Sequence, residues 1–420
     1  VELAAAIGYA GTLLFFLLSV AIGLTIGVTA NVSRSLGSGD RALARRQATS
    51  GTVIAFLVLA AVTALVMPFQ DRLLEAMGAS GATLDTASGF LTIVLPTTPF
   101  LAVGMALSGV LRAAGDAKRA MYVTLAGGIA TAILDPIFIF ALDLRVTGAA
   151  IVSVISRFVL MGLGLYGAFW VHRLLERPRL RAMAVDVRPL AVIALPAVLT
   201  QLATPVGNAY VTAAMAGFGV QAVAAWAVIG RLFPLMFGGL FALSGSVGAI
   251  FGQNLGAKRY DRVTRTLSDS LKLATLYVLC VWVVLAITSG WIADAFQATG
   301  EARELIRFFC IFVAPTFLFA GALFVANAAF NNLGFPMRST LFNWGRSTLG
   351  IVPFCWVGAK LAGAEGVLMG WGAGGVVFGV AAALSAFAVI TRMEAKGVEV
   401  QRLAINPHDR PALETHGSGI

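Results

Sequence analysis

Apolar positions dominate eleven stretches of this chain, and polar residues gather in the short connections between them. The stretches run approximately over 3–33, 45–69, 86–112, 120–142, 147–170, 189–217, 221–252, 267–293, 303–331, 338–361 and 364–392. A hydrocarbon core of about 30 Å needs roughly 20 apolar residues per helical crossing, so each stretch reads as a transmembrane helix. From Met393 to Ile420 the chain turns polar, contains Pro407 and Pro411, and is expected to form a frayed tail.

Composition agrees. Of 420 residues, 59% are hydrophobic and 12% are charged, about half the roughly 25% charged share of soluble proteins. Mean hydropathy is +0.88. Cys280, Cys310 and Cys355 each lie inside an apolar run and far apart, which excludes a disulfide framework or a zinc site. His172, His408 and His416 all fall in polar segments, so neither a metal site nor a buried histidine-based catalytic cluster is expected. None of the five lysines, Lys118, Lys258, Lys272, Lys360 and Lys396, follows a glycine, so a phosphate-cradling G-x-x-x-x-G-K-[ST] loop is absent. No cofactor is expected, and uphill work by this chain would not draw on ATP.

The formal charge of +10 comes mainly from arginines in the connections, so lipid and not nucleic acid is the expected surroundings. Arg34, Arg41, Arg45 and Arg46 against Asp40 make the first connection basic, whereas Asp71, Glu75 and Asp85 against Arg72 make the second acidic. The alternation continues through the basic residues 112–119, 173–188 and 258–265 and the acidic turn near Asp294, Glu301 and Glu304. Positive connections mark the cytoplasmic side, so the first stretch runs inward. That puts Val1 outside, unless a preceding helix has been lost. A multi-pass protein of a bacterial inner membrane is expected, with basic loops and tail in the cytoplasm.

The chain also matches itself at an offset of 219. Leu36-Gly37 aligns with Leu255-Gly256, Arg46 with Arg265, Pro96-Thr97 with Pro315-Thr316, Phe100 with Phe319, Gly115 with Gly334 and Arg119 with Arg338. A constant offset held by prolines, glycines and loop arginines marks a duplication. Segment 221–252 is then the twin of the first, and 189–217 has its own twin before Val1, which implies twelve helices in a complete protein. Six helices per half is an even number, so both halves cross in the same sense. The expected fold is an all-α integral membrane protein of two parallel-repeat helical bundles around a central cavity. Its parts are an N-terminal lobe of five helices at 1–170, a basic cytoplasmic connection at 171–188, a C-terminal lobe of six helices at 189–392, and the tail at 393–420.

These segments carry a resemblance. Gly27 to Arg46, the Leu111-Arg112-x-x-Gly115-Asp116 turn, Leu134-Asp135-Pro136-Ile137-Phe138-Ile139-Phe140 and Gly148-Ala149-Ala150 resemble the MATE (multidrug and toxic compound extrusion) transporters. So do Gly230-Arg231, the stretch from Gly252 to Ala257, and Asn343 to Arg346. The resemblance implies two six-helix lobes that exchange protons or sodium for amphipathic organic compounds, and a chain that lacks the family's first helix. Many members combine a first-helix Asp, an Asn and an Asp one turn apart on the fifth helix, and a Thr on the sixth. The matching positions here are Thr131, Asp135 and Ser153, with the first-helix Asp absent.

Residue by residue, Asp135 is the carboxylate that lies well inside an apolar segment, about 10 Å from its outer end at 1.5 Å per residue. Burial raises a carboxyl pKa toward neutrality, where it exchanges protons with the medium. Pro136 leaves the carbonyl of Ala132 without its helical donor, free for a cation or a hydroxyl. The competing reading is a structural ion pair between Asp135 and Arg157. Gln201, Thr204, Asn208 and Thr212 recur at helical spacing on one face, with Pro205 among them, as a cavity wall or as interhelical packing. Asn327 and Asn331 form a similar pair in the C-terminal half. Arg157, Arg231 and Arg346 are intramembrane by position and each needs a carbonyl, a carboxylate or an anionic ligand.

The leading expectation is a monomeric cation-coupled antiporter that exports amphipathic organic compounds by alternating access. Intramembrane arginines outnumber carboxylates, which also suits a flippase for lipid-linked oligosaccharide or another anionic lipid. A membrane-embedded enzyme is disfavoured, because no clustered His, Cys or paired-carboxylate chemistry lies inside the apolar segments.

Overall fold

The computed structural model describes residues 2–405, and these are helical almost throughout. The crossings are α1 (Ala5–Gly37), α2 (Arg41–Ala76), α3 (Gly81–Ala113), α4 (Ala117–Ala141), α5 (Arg145–Val171), α6 (Leu180–Ala216), α7 (Val220–Gly256), α8 (Tyr260–Ala295) and α9 (Gly300–Leu333). A last continuous stretch, Pro336–Lys396, doubles back at Ala362 and Gly363, whose φ of +58° lies in the left-handed region. It therefore supplies two crossings, α10 (336–361) and α11 (364–396), and the eleven expected segments are all present. Of the frayed tail expected at 393–420, residues 393–405 instead continue the helix of α11, and the remainder lies outside the described residues.

Local chemistry sets the helix ends. At Gly39-Asp40 and Gly115-Asp116 a glycine takes positive φ, +81° and +83°, and the following aspartate caps the next helix. Asp40 accepts from the amide of Leu43 at 2.8 Å and Asp116 from that of Arg119 at 3.0 Å, satisfying amides that a helix start leaves without partners. The basic connection is shorter than expected. Helix α6 starts at Leu180, so only about 172–179 is non-helical. Its charged first turns hid that start from a reading based on apolar runs. Those turns are held by an ion pair, Arg46 to the buried Asp186 at 3.0 Å.

Glycine governs the α10–α11 hairpin. A Cβ added at Gly358 would sit 2.0 Å from the carbonyl oxygen of Gly366, and one at Gly374 would sit 1.8 Å from that of Gly350. The two backbones touch along their length, which is how helices associate where lipid supplies no hydrophobic drive.

Two large cores result, with a small third cluster of Leu111, Ala120 and Val123 beside them. One joins residues between Ala6 and Ala194, the other residues between Val211 and Ile390. Helix α6 belongs to both, packing on α1 with its first half and on α10 with its second. Around them, Leu195, Ile287, Trp291, Phe140 and Leu361 are exposed, the apolar belt that a lipid-facing surface requires.

The duplication is visible in backbone detail. The α3 helix breaks into a 3-10 turn at Leu95–Thr97, and α9 does so at Ala314–Thr316, the same offset of 219. Ser108 donates to the carbonyl of Ala120, and their repeat mates Asn327 and Ser339 are joined in the reverse direction, Ser339 donating to the carbonyl of Asn327. Helix α6 has no counterpart among the described residues. It sits on Gly23 and Gly27 of α1, whereas the matching Ala242 of α7 is exposed.

Candidate functional site

The two bundles meet at the basic-loop ends of α1, α3, α7 and α9. Gly37 packs on the backbone of Gln253 and Gly256 on that of Arg34, so closely that a Cβ at either glycine would lie 2.1 Å from a carbonyl oxygen. Arg34 Nε donates to the carbonyl of Asn332 at 2.9 Å, and Gln253 Nε2 donates to that of Ala113 at 2.7 Å. Gln253 is the repeat mate of Arg34, and Asn332 that of Ala113. The closure is thus a pseudo-two-fold contact made twice by equivalent positions. Toward the acidic turns, a Cβ added at either of the repeat mates Gly11 and Gly230 would meet nothing within 4 Å.

The apolar exposed face of helix α6 carries Leu195, Leu199 and Val206, and its buried face Ala203, Gly207 and Val211. At 3.6 residues per turn, Gln201, Thr204, Asn208 and Thr212 lie on a third face, opposite the apolar exposed one. Asn208 and Thr212 are exposed there, Gln201 and Thr204 half-buried. A polar face that is open yet turned away from the lipid belt fits a wet cleft. Thr212 donates to the carbonyl of Asn208 and accepts from the indole of Trp226 on α7 at 3.0 Å, which ties the two helices together.

On the N-terminal side, α4 and α5 run antiparallel in close contact. Gly148 lies against the carbonyl of Phe138, and Gly127 against Leu160. That register puts Asp135 level with the turn containing Ser153. Both expected hydroxyl partners are turned to their own helices, Thr131 donating to Gly127 at 3.0 Å and Ser153 to Ala149 at 2.9 Å. Their oxygen lone pairs stay available. The expected alternative of an Asp135–Arg157 ion pair is not formed. Arg157 donates to the carbonyl of Val94 and to Thr97 Oγ1 at 2.7 Å, at the 3-10 break of α3. The freed carbonyl and hydroxyl of that break outcompete the carboxylate. Half-buried Asp135 makes no ion pair among the described residues.

The C-terminal candidates divide. Asn327 and Asn331 are 7% and 5% exposed, packed between helices and not on an open wall. Asn327 accepts from Asn343 at 3.0 Å, and the Asn331 carbonyl accepts from Arg34. Arg231 is exposed on α7, on the face that carries Gly238 and Ala242 and leads to the basic-loop contact, and pairs with no carboxylate among the described residues. Arg346 of α10 lines a crevice beside the α9 break, with its Nε buried and unpartnered among the described residues.

Sequence reasoning missed Arg34, Gln253 and Asn332 as a unit. The offset of 219 was the signal that could have found them, because it pairs both donors and both acceptors. It also missed the anchor below the contact, where Asp116 joins His172 at 2.7 Å. Burial pushes that carboxyl up. Hydrogen bonds from the Arg119 amide, His172 and the Arg119 guanidinium outweigh it and hold the pKa at about 2.

Comparison with known proteins places this geometry. The chain is 30% identical over 387 residues to an FAD transporter of Shewanella oneidensis, covering 90% of this chain and 85% of that protein. It is 27% identical over 372 residues to the multidrug export protein MepA of Staphylococcus haemolyticus, covering 85% and 79%. Its fold matches a mutant of the Vibrio cholerae MATE transporter VcmN with a TM-score of 0.89 at 23% identity, covering 93% and 90%. It also matches an outward-facing multidrug resistance MATE transporter with a TM-score of 0.87 at 22% identity, covering 94% and 89%. The MatE family model matches residues 2–137 and 196–357. The chain belongs to the MatE family of membrane transporters.

Proposed function

We propose that this chain exports amphipathic organic compounds in exchange for protons or sodium, by alternating access between its two bundles. One observation carries the reading: the bundles are latched at the basic-loop end by a contact made twice by repeat-equivalent positions, while the polar face of α6 with Asn208 and Thr212 stays exposed. With the basic loops cytoplasmic, this arrangement is the outward-open one. A cation bound near Asp135 and a compound on the polar face of α6 then favour opposite arrangements, which is what couples two fluxes.

The relative named as an FAD transporter favours one class of compound. A flavin dinucleotide is amphipathic, aromatic and negatively charged, and the arginines without carboxylate partners, Arg231 and Arg346, suit a negative charge. An anionic lipid would be drawn by the same arginines and remains the second reading. The test is transport in proteoliposomes holding the full chain, with a proton or a sodium gradient imposed. Gradient-driven movement of a soluble fluorescent compound is expected. Movement that ignores both gradients overturns antiport, and movement of labelled lipid alone replaces export by flipping.

A further inference from the structure

At the basic-loop end of the N-terminal bundle, the starts of α2 and α4 converge on His172, the first residue past α5. Its ring Nε2 meets Asp116 Oδ2 at 2.7 Å, and its carbonyl accepts from Arg41 of α2, also at 2.7 Å. Asp116 caps α4 and holds Arg119 as well. Arg173 follows His172 with a positive φ of +51°, and Lys118 lies in the first turn of α4. Arg41, Lys118 and Arg173 are thus gathered at one corner. All three are exposed, and none pairs with a carboxylate among the described residues.

Exposed aromatic side chains lie just inside this ring of charge. The contacts of Asp116 with His172 and of Gly127 with Leu160 fix the antiparallel register of α4 and α5, so the first turns of α4 are level with the last turns of α5. Tyr122 of α4 and Tyr166, Phe169 and Trp170 of α5 are all exposed there. Tyr166 stacks on Trp170 with ring centroids 6.2 Å apart, and Phe169 meets Trp170 edge-on at 4.9 Å. Lys118 Nζ stands 5.9 Å from the centre of the Tyr122 ring. Deeper along α4, Met121, Leu125 and Ile129 are exposed at spacings of four, one apolar face that a hydrocarbon chain can follow.

Cations and aromatic residues are common at membrane interfaces, and the duplication supplies the control. The repeat gives the C-terminal bundle the same corner at the same membrane level. Met337 and Leu341 stand there at the positions of Lys118 and Tyr122. Arg338, the mate of Arg119, is taken up by Ser385 of α11 at 2.7 Å. Between residues 384 and 392 the end of α11 carries a single aromatic residue, Phe387, which packs against the core. A rule common to all interfaces would furnish both corners alike, yet the free cations and exposed rings gather at one.

We propose that this corner binds an anionic phospholipid from the leaflet on the basic-loop side. Its phosphate lies against Lys118, Arg173 and the remaining donors of Arg41, and its acyl chains run along Tyr122, Tyr166 and Trp170. Ammonium and guanidinium groups hold phosphate oxygens through charge-assisted hydrogen bonds, and basic pockets beside transmembrane helices select anionic headgroups. This lipid is a fixed neighbour and not a cargo, so the inference is independent of which compound the chain moves.

The test uses the purified full chain in phosphatidylcholine nanodiscs doped with lipid whose acyl chains are brominated, which quenches tryptophan on contact. Seven tryptophans contribute, and comparison with Trp170→Phe isolates the signal of Trp170. Brominated phosphatidylglycerol should quench that signal at roughly tenfold lower mole fraction than brominated phosphatidylcholine. Lys118→Gln/Arg173→Gln should abolish the preference. Lys118→Arg/Arg173→Lys should retain it, which shows that loss in the glutamine variant is not misfolding. Lys258→Gln/Arg262→Gln removes two exposed loop cations of the other bundle and should leave the preference intact. Equal quenching by the two lipids in the unaltered chain overturns the site, and so does a preference that survives Lys118→Gln/Arg173→Gln. A preference lost as fully in Lys258→Gln/Arg262→Gln would mean diffuse surface charge, and relief of quenching by inorganic phosphate would mean a free-anion site. Either result overturns the proposal.

Discussion

Arg34 donates to the carbonyl of Asn332 across the bundle interface, and its repeat mate Gln253 donates to the carbonyl of Ala113, the repeat mate of Asn332. One contact has become two by gene duplication, although the donor side chains have diverged. Each bundle presents a donor on its first long helix after the offset and an acceptor at a helix end, where carbonyls lack intrahelical partners. The arrangement closes one mouth of the space between the bundles without a permanent charge pair that would resist opening.

Removing both donors should loosen that mouth. Each hydrogen bond contributes about 1 kcal/mol, so the double variant Arg34→Ala/Gln253→Ala should shift the closed-to-open ratio by about thirtyfold. A cysteine placed at Ser33, in a chain with the exposed Cys280 replaced by serine, reports the change. Its labelling from the basic-loop side should rise several-fold. Unchanged labelling would mean that glycine packing alone keeps the mouth shut.

The α10–α11 hairpin should tolerate no side chain on its contact line. Gly358→Val and Gly374→Val each drive a Cβ into a facing carbonyl, and overpacking of this kind costs about 3 kcal/mol. A fall in detergent-solubilised melting temperature is the expected outcome. Gly375→Ala on the next residue, where nothing lies within 4 Å, should leave the melt unchanged.

Asp135→Asn should uncouple transport from the imposed gradient while exchange of substrate down its own gradient continues. Asp135→Glu should keep part of the coupling. Proteoliposome flux with and without the gradient checks both, and full coupling in the asparagine variant would remove Asp135 from the exchange site.

At the basic-loop anchor, the sign of the pH dependence follows from the depressed pKa of Asp116, about 2 against 3.8. The folded protein holds this carboxylate ionised more strongly than the unfolded chain does. Its stabilisation is therefore complete above about pH 5 and disappears as pH falls through about 2. Between pH 5 and 8 the melting temperature should owe no slope to this group. Asp116→Asn should lower the melt at neutral pH and have no effect in strong acid.

The expected crossings were legible because lipid imposes a simple rule, that a segment of sufficient apolar length must be a helix. The duplication was legible for a related reason. Prolines, glycines and loop arginines sit where backbone geometry or membrane topology leaves little choice, as Pro96 and Pro315 at the two 3-10 breaks illustrate. The start of α6 was not legible, because its first turns are charged and stabilised by Arg46 and Asp186 from different helices.

By itself, then, the amino-acid order determined the number of crossings, their alternation and the two-fold repeat, since each of these depends on local apolar length or on residues that constrain the backbone. Only the tertiary structure decided which polar groups are satisfied. Arg157 finds the freed carbonyl of a helix break, Asn327 finds Asn343, and the Nε of Arg346 finds no partner among the described residues. The three differ little as buried polar residues in an apolar run. What separates them is whether a distant helix brings an acceptor within about 3 Å, and no local pattern encodes that distance.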